Sequence, residues 1–244
     1  MPTNSEERAK VVAVPQPVST WAFVAACAIA GALAVPVNAV ASPVSTLVAG
    51  LVGFLGLRLW NWSRLLGSLK TGANDRFERV VWSVTSLGLG LLVGLLLLGV
   101  IRLAIEPLVP AAGARIAAAA SLPIWRRLVI VYVAAVGEEL VFRLVLLSLV
   151  AGLTIRLLSL AARVPSRRIV WASIGLSAFA FAAVHLPAWS AVGPLSPGLA
   201  LMVMILNSLG GVVFGYVFVT RGIVAAIWAH AGADCAIQFI GPLT

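Results

Sequence analysis

The chain has 244 residues, of which 61% are hydrophobic and 10% are charged, and its formal net charge is +9. Soluble domains carry about 25% charged residues, so this composition excludes an ordinary soluble globular domain. Apolar stretches of about 20 residues recur along the chain, whereas the alternation over about ten residues that is typical of a transmembrane barrel is missing. We therefore predict an all-α bundle of transmembrane helices in a lipid bilayer.

The basic residues lie mostly in short segments between the apolar stretches. This distribution is typical of topology signals and of contacts with lipid headgroups, so we expect no nucleic-acid partner. Cys27 and Cys235 both fall in predicted spans, which argues against a disulfide framework. Residues 1–18 are polar and contain proline, and we predict a disordered tail followed by a retained span.

About seven spans are predicted, and a kinked or re-entrant hairpin is the alternative for the first two. A connection over residues 102–125, rich in Pro, Ala and Gly, is predicted to hold a short surface helix, and a tight Arg221-Gly222 turn precedes the last span. The spans are Trp21–Val40, Val44–Leu59, Val80–Ile101, Trp125–Val150, Val170–Trp189, Leu199–Thr220 and Ile223–Ile240.

Two local patterns in the first half predict how its helices are placed. Trp60 and Trp62 follow the second span, where an aromatic belt at the membrane surface is expected. Gly90-x-x-x-Gly94 in the third span predicts close packing against another helix. No internal or inverted repeat is evident, which argues against a transporter.

Lys and Arg in short loops predict the orientation of the chain. The N-terminal tail, residues 58–79 and residues 156–168 would share one side, which we assign to the cytoplasm, although basic residues in 102–127 oppose this assignment. We predict a multi-pass protein of a bacterial or archaeal-type plasma membrane with a cytoplasmic N-terminus.

Three charged residues lie within the fourth span, where a charge at the bilayer centre costs roughly 3 kcal/mol or more. Glu139 and Arg143 are four residues apart, in the orientation that favours a salt bridge on one helical face. Glu138 is rotated by about 100° from Glu139 and is predicted to be the free carboxylate. A purely structural lock between helices is the alternative for the Glu139–Arg143 pair.

Further polar residues lie in the last three spans. His230 and Asp234 share one helical face, so the carboxylate can orient or charge the imidazole. Phe181 lies one turn before His185 and is expected to pack beneath it. Simple helix contacts are the alternative for His185, and an interhelical hydrogen bond is predicted for Asn207. Taken together, these costly groups predict a functional polar cavity within the membrane.

Several chemistries are compatible with this set of side chains. A carboxylate with two imidazoles can activate water and stabilise an oxyanion. The same groups could bind a divalent metal such as zinc, but no H-E-x-x-H motif is present, and no G-x-S-x-G stretch suggests a serine nucleophile. A proton relay in a small proton-coupled transporter is a further alternative.

The motifs together resemble the CPBP family of CAAX prenyl proteases and bacteriocin-processing enzymes, also called Abi or Rce1-like. The match covers about residues 125–240, and each motif is weak alone whereas the three in register are specific. The motifs, in order on successive helices, are Glu138-Glu139-x-x-x-Arg143, Phe181-x-x-x-His185 and His230-x-x-x-Asp234, and the run from Asn207 through Phe214-Gly215 and Gly222 to His230 is also similar.

The resemblance implies an intramembrane endopeptidase that cleaves a membrane-anchored protein or peptide near its C-terminus. It implies Glu138 as the base that activates water, His185 as a group that holds this water, and His230 with Asp234 as the groups that stabilise the oxyanion. Glu139 and Arg143 would shape and charge the pocket. The glutamate mechanism needs no cofactor, and zinc is the alternative.

One position departs from the family pattern, because the last motif often ends in Asn and here ends in Asp234. An ionised Asp cannot donate a hydrogen bond to an oxyanion. Either Asp234 is protonated in the low-dielectric site, or it acts indirectly by charging His230.

The resemblance divides the chain into the tail at 1–18, transmembrane helices without motifs at 19–122, and a catalytic core at 123–244. We expect the cavity to lie from mid-membrane towards the outer leaflet. We favour processing of a C-terminal sorting tag as the reaction, and prenyl-CAAX-type processing is the second choice. A non-catalytic immunity or partner-binding membrane protein on the same scaffold is the alternative from another class.

Overall fold

The computed structural model describes residues 19–34, 41–63, 65, 76–158, 165–190 and 194–243, and the predicted N-terminal tail lies outside these ranges. Every regular element within them is helical, as predicted. The helices are α1 (Thr20–Ala34), α2 (Ala41–Ser63), α3 (Arg76–Val100), α4 (Pro110–Ala118), α5 (Ile124–Glu138), α6 (Ser148–Leu157), α7 (Arg167–Ala183), α8 (Leu186–Ser190), α9 (Pro197–Arg221) and α10 (Ile223–Cys235).

Wider helical turns extend three of these elements. A π-helical segment follows α3 at Ile101–Ile105, another joins α5 to α6 at Glu139–Leu147, and a third follows α10 at Ala236–Ile240. The fourth predicted span is therefore one continuous helical stretch from Ile124 to Leu157.

Six helical stretches of the described residues are long and apolar enough to cross a membrane. α1 is apolar but has only 15 residues, fewer than the about 17–25 that a transmembrane helix needs. The predicted count of about seven thus becomes six long helices and one short one in this part of the chain. The protein is an integral, multi-pass membrane protein.

α1 and α2 pack as an antiparallel pair. A side chain at Gly31 would collide with the carbonyl of Ser45, and one at Gly53 would collide with Cys27. Small residues on both helices therefore allow the close approach. α2 has 23 residues, so it is longer than the short second span predicted from the sequence.

α3 crosses α10 at very short range, as the Gly90-x-x-x-Gly94 pattern predicted. A Cβ at Gly90 would collide with the carbonyl of Ala229, and a Cβ at Gly94 would collide with Ala233. Gly232 on α10 is equally close to the backbone of α3 at Leu87. This crossing fixes the helix that carries His230 and Asp234.

The two ends of the bundle are held by different arginines. At the end that contains α4, Arg127 Nη1 donates to the carbonyl of Gln238, and Arg115 Nη1 donates to that of Ala188. At the opposite end, Arg156 donates to the backbone of Trp62. Arg221 also lies at this end, where Gly222, with φ +90°, forms the predicted turn before α10. We call these the α4 end and the Arg221 end.

Two predictions about the surface are corrected by the packing. Trp60 is 3% exposed and packs on Phe218, 5.7 Å between ring centroids, so it belongs to the core and not to an aromatic belt. α4 is the predicted short helix, but Ala112 and Ile116 on one of its faces are buried against the end of α3. Side chains from helices remote in sequence cover both Trp60 and this face of α4.

Candidate active site

The two glutamates lie where α5 changes into a π-helical segment. Glu138 is the last residue of α5, and Glu139 begins the wider turn that ends at Leu147. Inside this segment the carbonyl of Phe142 accepts a 2.6 Å hydrogen bond from the buried hydroxyl of Ser177 on α7. π-Helical turns occur frequently at functional sites, and this one is tied to the helix that precedes His185.

Glu139 and Arg143 form the predicted ion pair, with 3.0 Å between Oε1 and Nη1, and both side chains are fully buried. The guanidinium also lies 4.4 Å from the ring centroid of Phe181 and 5.5 Å from that of Phe214. Its Nη2 donates to the carbonyl of Gly211. Arg143 therefore supplies a fixed positive charge beneath the polar cluster.

Glu139 has a second partner that sequence spacing does not predict. Its Oε1 lies 2.9 Å from Nδ1 of His230 on α10. Because a carboxylate paired with Arg143 only accepts hydrogen bonds, His230 carries a proton on Nδ1. The imidazole is also stacked on Phe214, with 4.8 Å between centroids and 16° between planes. Its orientation is thus fixed from two sides.

The other nitrogen of His230 faces two more carboxylates. Nε2 lies 3.6 Å from Oε2 of Glu138 and 3.8 Å from Oδ2 of Asp234. The predicted sharing of one helical face by His230 and Asp234 is therefore seen in the structure.

His185 approaches Glu138 from α7. Its Nε2 lies 3.8 Å from Oε2 of Glu138, and its Nδ1 lies 2.7 Å from the carbonyl of Phe181. A carbonyl only accepts hydrogen bonds, so Nδ1 is the protonated nitrogen and Nε2 faces the glutamate. The ring of Phe181 packs beside His185 at 4.7 Å, as predicted.

Exposure separates the two glutamates. The side chain of Glu138 is 32% exposed and that of His185 is 26% exposed, whereas Glu139 and Arg143 are at 0%. Glu138 therefore lies where water can reach it, and Glu139 does not.

The cluster opens into a cavity of about 260 Å³ in the half of the bundle at the α4 end. Its walls come from α3, α4, α5, α7, α8, α9 and α10 and the π-helical segments after α3 and α10. The polar lining residues are Glu138, His185, His230, Asp234, Asn207, Gln238 and Arg115, and large apolar ones include Phe181, Trp189 and Phe214.

Asn207 lines this cavity, but its hydrogen bond lies within one helix and is not the predicted interhelical bond. Its Nδ2 donates to the carbonyl of Val203, one turn earlier on α9. A helix carbonyl four residues back lies within easy reach of a short amide side chain.

Within the described ranges, no group of three or more His, Cys, Asp or Glu side chains is arranged to hold a metal ion.

Three contributors to the site were missed from the sequence. Two of them are the bond from Glu139 to His230 and the position of α4 at the cavity. Sequence spacing predicts neither, because the segments involved have no periodic relationship. Ser177 had a usable signal, because it lies four residues before Phe181 and eight before His185, on the same helical face.

These features define a class: a polytopic helical membrane protein with carboxylates and imidazoles around an intramembrane cavity. The family model described as type II CAAX prenyl endopeptidase Rce1-like matches residues 120–236, a range that contains every predicted site residue. This part of the chain is an Rce1-like domain, and the predicted CPBP resemblance is confirmed. This match supports, in general terms, a CAAX-type intramembrane protease that acts on a membrane-anchored substrate. No curated protein and no solved structure matches the chain significantly.

Proposed function

We propose that the protein is an intramembrane endopeptidase in which Glu138 activates the hydrolytic water. The observation that carries this proposal is the environment of the Glu138 carboxylate, which is partly exposed and has imidazole nitrogens at 3.6 and 3.8 Å. A general base must reach both water and the reacting carbonyl, which the fully buried Glu139 does not.

His185 is proposed to position the water. With its proton on Nδ1, a neutral His185 presents the lone pair of Nε2 towards Glu138. A water between the two groups donates one hydrogen to each. Glu138 then removes a proton as the water oxygen attacks the scissile carbonyl carbon, and later returns that proton to the leaving amine.

His230 is proposed to stabilise the oxyanion. Because Nδ1 already donates to Glu139, donation from Nε2 requires the imidazolium form. Glu138 and Glu139 lie beside this ring and supply the compensating negative charge. Preorganised donors of this kind are usually the largest contribution to catalysis of acyl transfer.

Asp234 is proposed to act as a neutral acid that donates to the same oxyanion. With Arg143 and His230 both cationic, three ionised carboxylates would leave a net negative charge in the cluster. One further proton makes the cluster neutral, which a low-dielectric site favours. In this arrangement no metal or other cofactor takes part.

The substrate is proposed to be a membrane-anchored protein processed near its C-terminus, from the outer side. The cavity lies at the α4 end, and basic residues at the Arg221 end, such as Arg79, Arg156 and Arg168, support a cytoplasmic position of that end by the positive-inside rule. A single cysteine at Ala188, in a chain with Cys27 and Cys235 replaced, should react with a membrane-impermeant maleimide from outside. Labelling only from the cytoplasm would reverse the orientation.

The function is tested by comparing protein C-termini in cells that carry the wild-type protein, the Glu138→Gln variant or no protein. We expect one or a few membrane proteins to be shortened at the C-terminus only with the wild type. An unchanged set of C-termini, with normal cell physiology in the Glu138→Gln, His185→Gln double variant, would instead support a partner-binding protein. Proton flux in vesicles without proteolysis would support a transporter.

A further inference from the structure

Arg115 is a cation at the wall of the catalytic cavity. It is the only Lys or Arg among the described residues that line the cavity. Its guanidinium lies 5.2 Å from the ring centroid of Trp189, and its Nη1 donates to the carbonyl of Ala188. Both partners belong to α8, the short helix directly after His185. Arg115 is therefore held next to a proposed catalytic residue.

Among the residues that the structure describes, no carboxylate balances the positive charge of Arg115. No ion pair within the described ranges includes it, whereas Arg102 is paired with Glu106 and Arg143 with Glu139. A guanidinium has five N–H donors in a planar fork, and the one contact to Ala188 leaves most of them available to a ligand.

The rest of the cavity selects a short apolar ligand. A volume of about 260 Å³ is below the roughly 300–1,000 Å³ of pockets for drug-sized molecules. Much of the wall is aliphatic, with side chains from four different segments. These are Leu97, Ile101, Ile105, Ile116, Val203 and Leu206.

We propose that Arg115 binds the C-terminal carboxylate of the substrate, while the few apolar residues between the scissile bond and that carboxylate occupy the cavity. This inference rests on the proposed protease function and specifies how its substrate is recognised. Glu138 repels a carboxylate and Arg115 attracts it, so the two charges fix the direction of the bound peptide.

Arginine suits this role for two reasons. Its fork binds a carboxylate through two parallel hydrogen bonds, which a lysine cannot do. Trp189 and Ala188 already hold the side chain, so little conformational entropy is lost when the ligand binds. A protease with this anchor measures the distance from the C-terminus to the cleaved bond.

The test uses the full-length protein in lipid nanodiscs and quenched-fluorescence peptides. Each peptide has a hydrophobic anchor and three randomised apolar residues at the C-terminus, with or without a prenylated cysteine before them. Every peptide is made as a free acid and as a C-terminal amide. We expect kcat/KM of the wild type to be at least about tenfold higher for the acids, because hydrogen bonds to a charged group are worth that factor or more.

Substitution of Arg115 should remove this preference selectively. Arg115→Gln is expected to raise KM for the acids to that of the amides, with kcat and the cleavage of amides nearly unchanged, and Arg115→Lys should keep part of the preference. Arg126→Gln is the matched control, because Arg126 also lies at the α4 end and over a tryptophan, Trp125, but does not line the cavity. This control should keep the full preference.

Several outcomes would overturn the inference. Equal loss of acid and amide cleavage in Arg115→Gln would show that Arg115 only holds α4 and α8 together. A wild type without acid preference would exclude a carboxylate site. Weaker binding of anionic vesicles by Arg115→Gln, with no acid preference in the wild type, would assign Arg115 to lipid headgroups.

Binding to the Glu138→Gln variant separates this inference from the proposed function. Fluorescence polarisation should show tighter binding of acids than of amides, and the additional Arg115→Gln substitution should abolish the difference. Preferential binding of acids without any cleavage by the wild type would support the carboxylate site and contradict the protease. Cleavage without acid preference would support the protease and contradict the carboxylate site.

Discussion

Glu139 Oε1 lies 2.9 Å from His230 Nδ1, although 91 residues separate them in the chain. The same oxygen lies 3.0 Å from Arg143 Nη1, so one buried atom connects the ion pair of the fourth span to the imidazole of the last helix. This contact leaves only Nε2 of His230 facing Glu138 and Asp234. We therefore propose that the second glutamate of the motif, Glu139, positions His230.

Glu138→Gln should reduce cleavage by about 10²–10⁴-fold, the usual contribution of a general base, because an amide cannot accept the proton of the attacking water. Cleavage of a reporter peptide by purified protein measures the effect, and thermal unfolding checks that the fold is intact. Glu106→Gln is the matched control, since Glu106 forms a partly exposed pair with Arg102 and neither residue lines the cavity. Full activity of Glu138→Gln would exclude the mechanism.

Glu139→Gln should impair both stability and activity. It leaves the fully buried Arg143 without its counter-charge, which costs about 3–5 kcal/mol. The additional Arg143→Met substitution should restore much of the unfolding free energy but not kcat, because His230 still lacks its charged acceptor. If the double variant recovered activity as well, Glu139 would be only a structural partner of Arg143.

Ser177→Ala should lower stability by about 1–3 kcal/mol and reduce kcat, because it removes the buried hydrogen bond to the carbonyl of Phe142. Ser173→Ala is the matched control. Ser173 is equally buried, at 1% exposure, but its hydroxyl donates within its own helix to Ile169. Chemical unfolding and cleavage rates should separate the two variants, and equal effects on kcat would rule out a special role for Ser177.

Asp234→Asn should retain cleavage within a few-fold at neutral pH, because an amide donates the hydrogen bond proposed for the neutral acid. The sign of the pH effect follows from that role. Raising the pH ionises Asp234 and removes its donor, so the wild type should lose activity on the alkaline side and Asp234→Asn should lose less. Loss of activity in Asp234→Asn at every pH would show that the negative charge is required.

Cleavage should survive strong chelators, because the proposed mechanism uses only carboxylates and imidazoles. The measurement is activity after dialysis against a chelator and after addition of zinc. Inactivation by the chelator that zinc reverses would favour the metal mechanism.

Local helical geometry made much of this protein predictable. Runs of about 20 apolar residues are sufficient to define membrane spans, because a helix satisfies all of its backbone hydrogen bonds within one segment in a bilayer. Spacing of four residues likewise predicted the Glu139–Arg143 pair and the common face of His230 and Asp234, since such residues are neighbours on any α-helix. Gly90-x-x-x-Gly94 predicted a close crossing without naming the partner helix.

The partners across helices were decided only by the tertiary structure. The contact of Glu139 with His230, the hydrogen bond of Ser177 to Phe142 and the burial of Trp60 depend on which helices are adjacent and how they are rotated. Residues remote in sequence have no periodic relationship, so their spacing carries no information about these contacts. The sequence by itself determined the spans and the pairs within each helix, whereas packing between helices turned these pairs into one site.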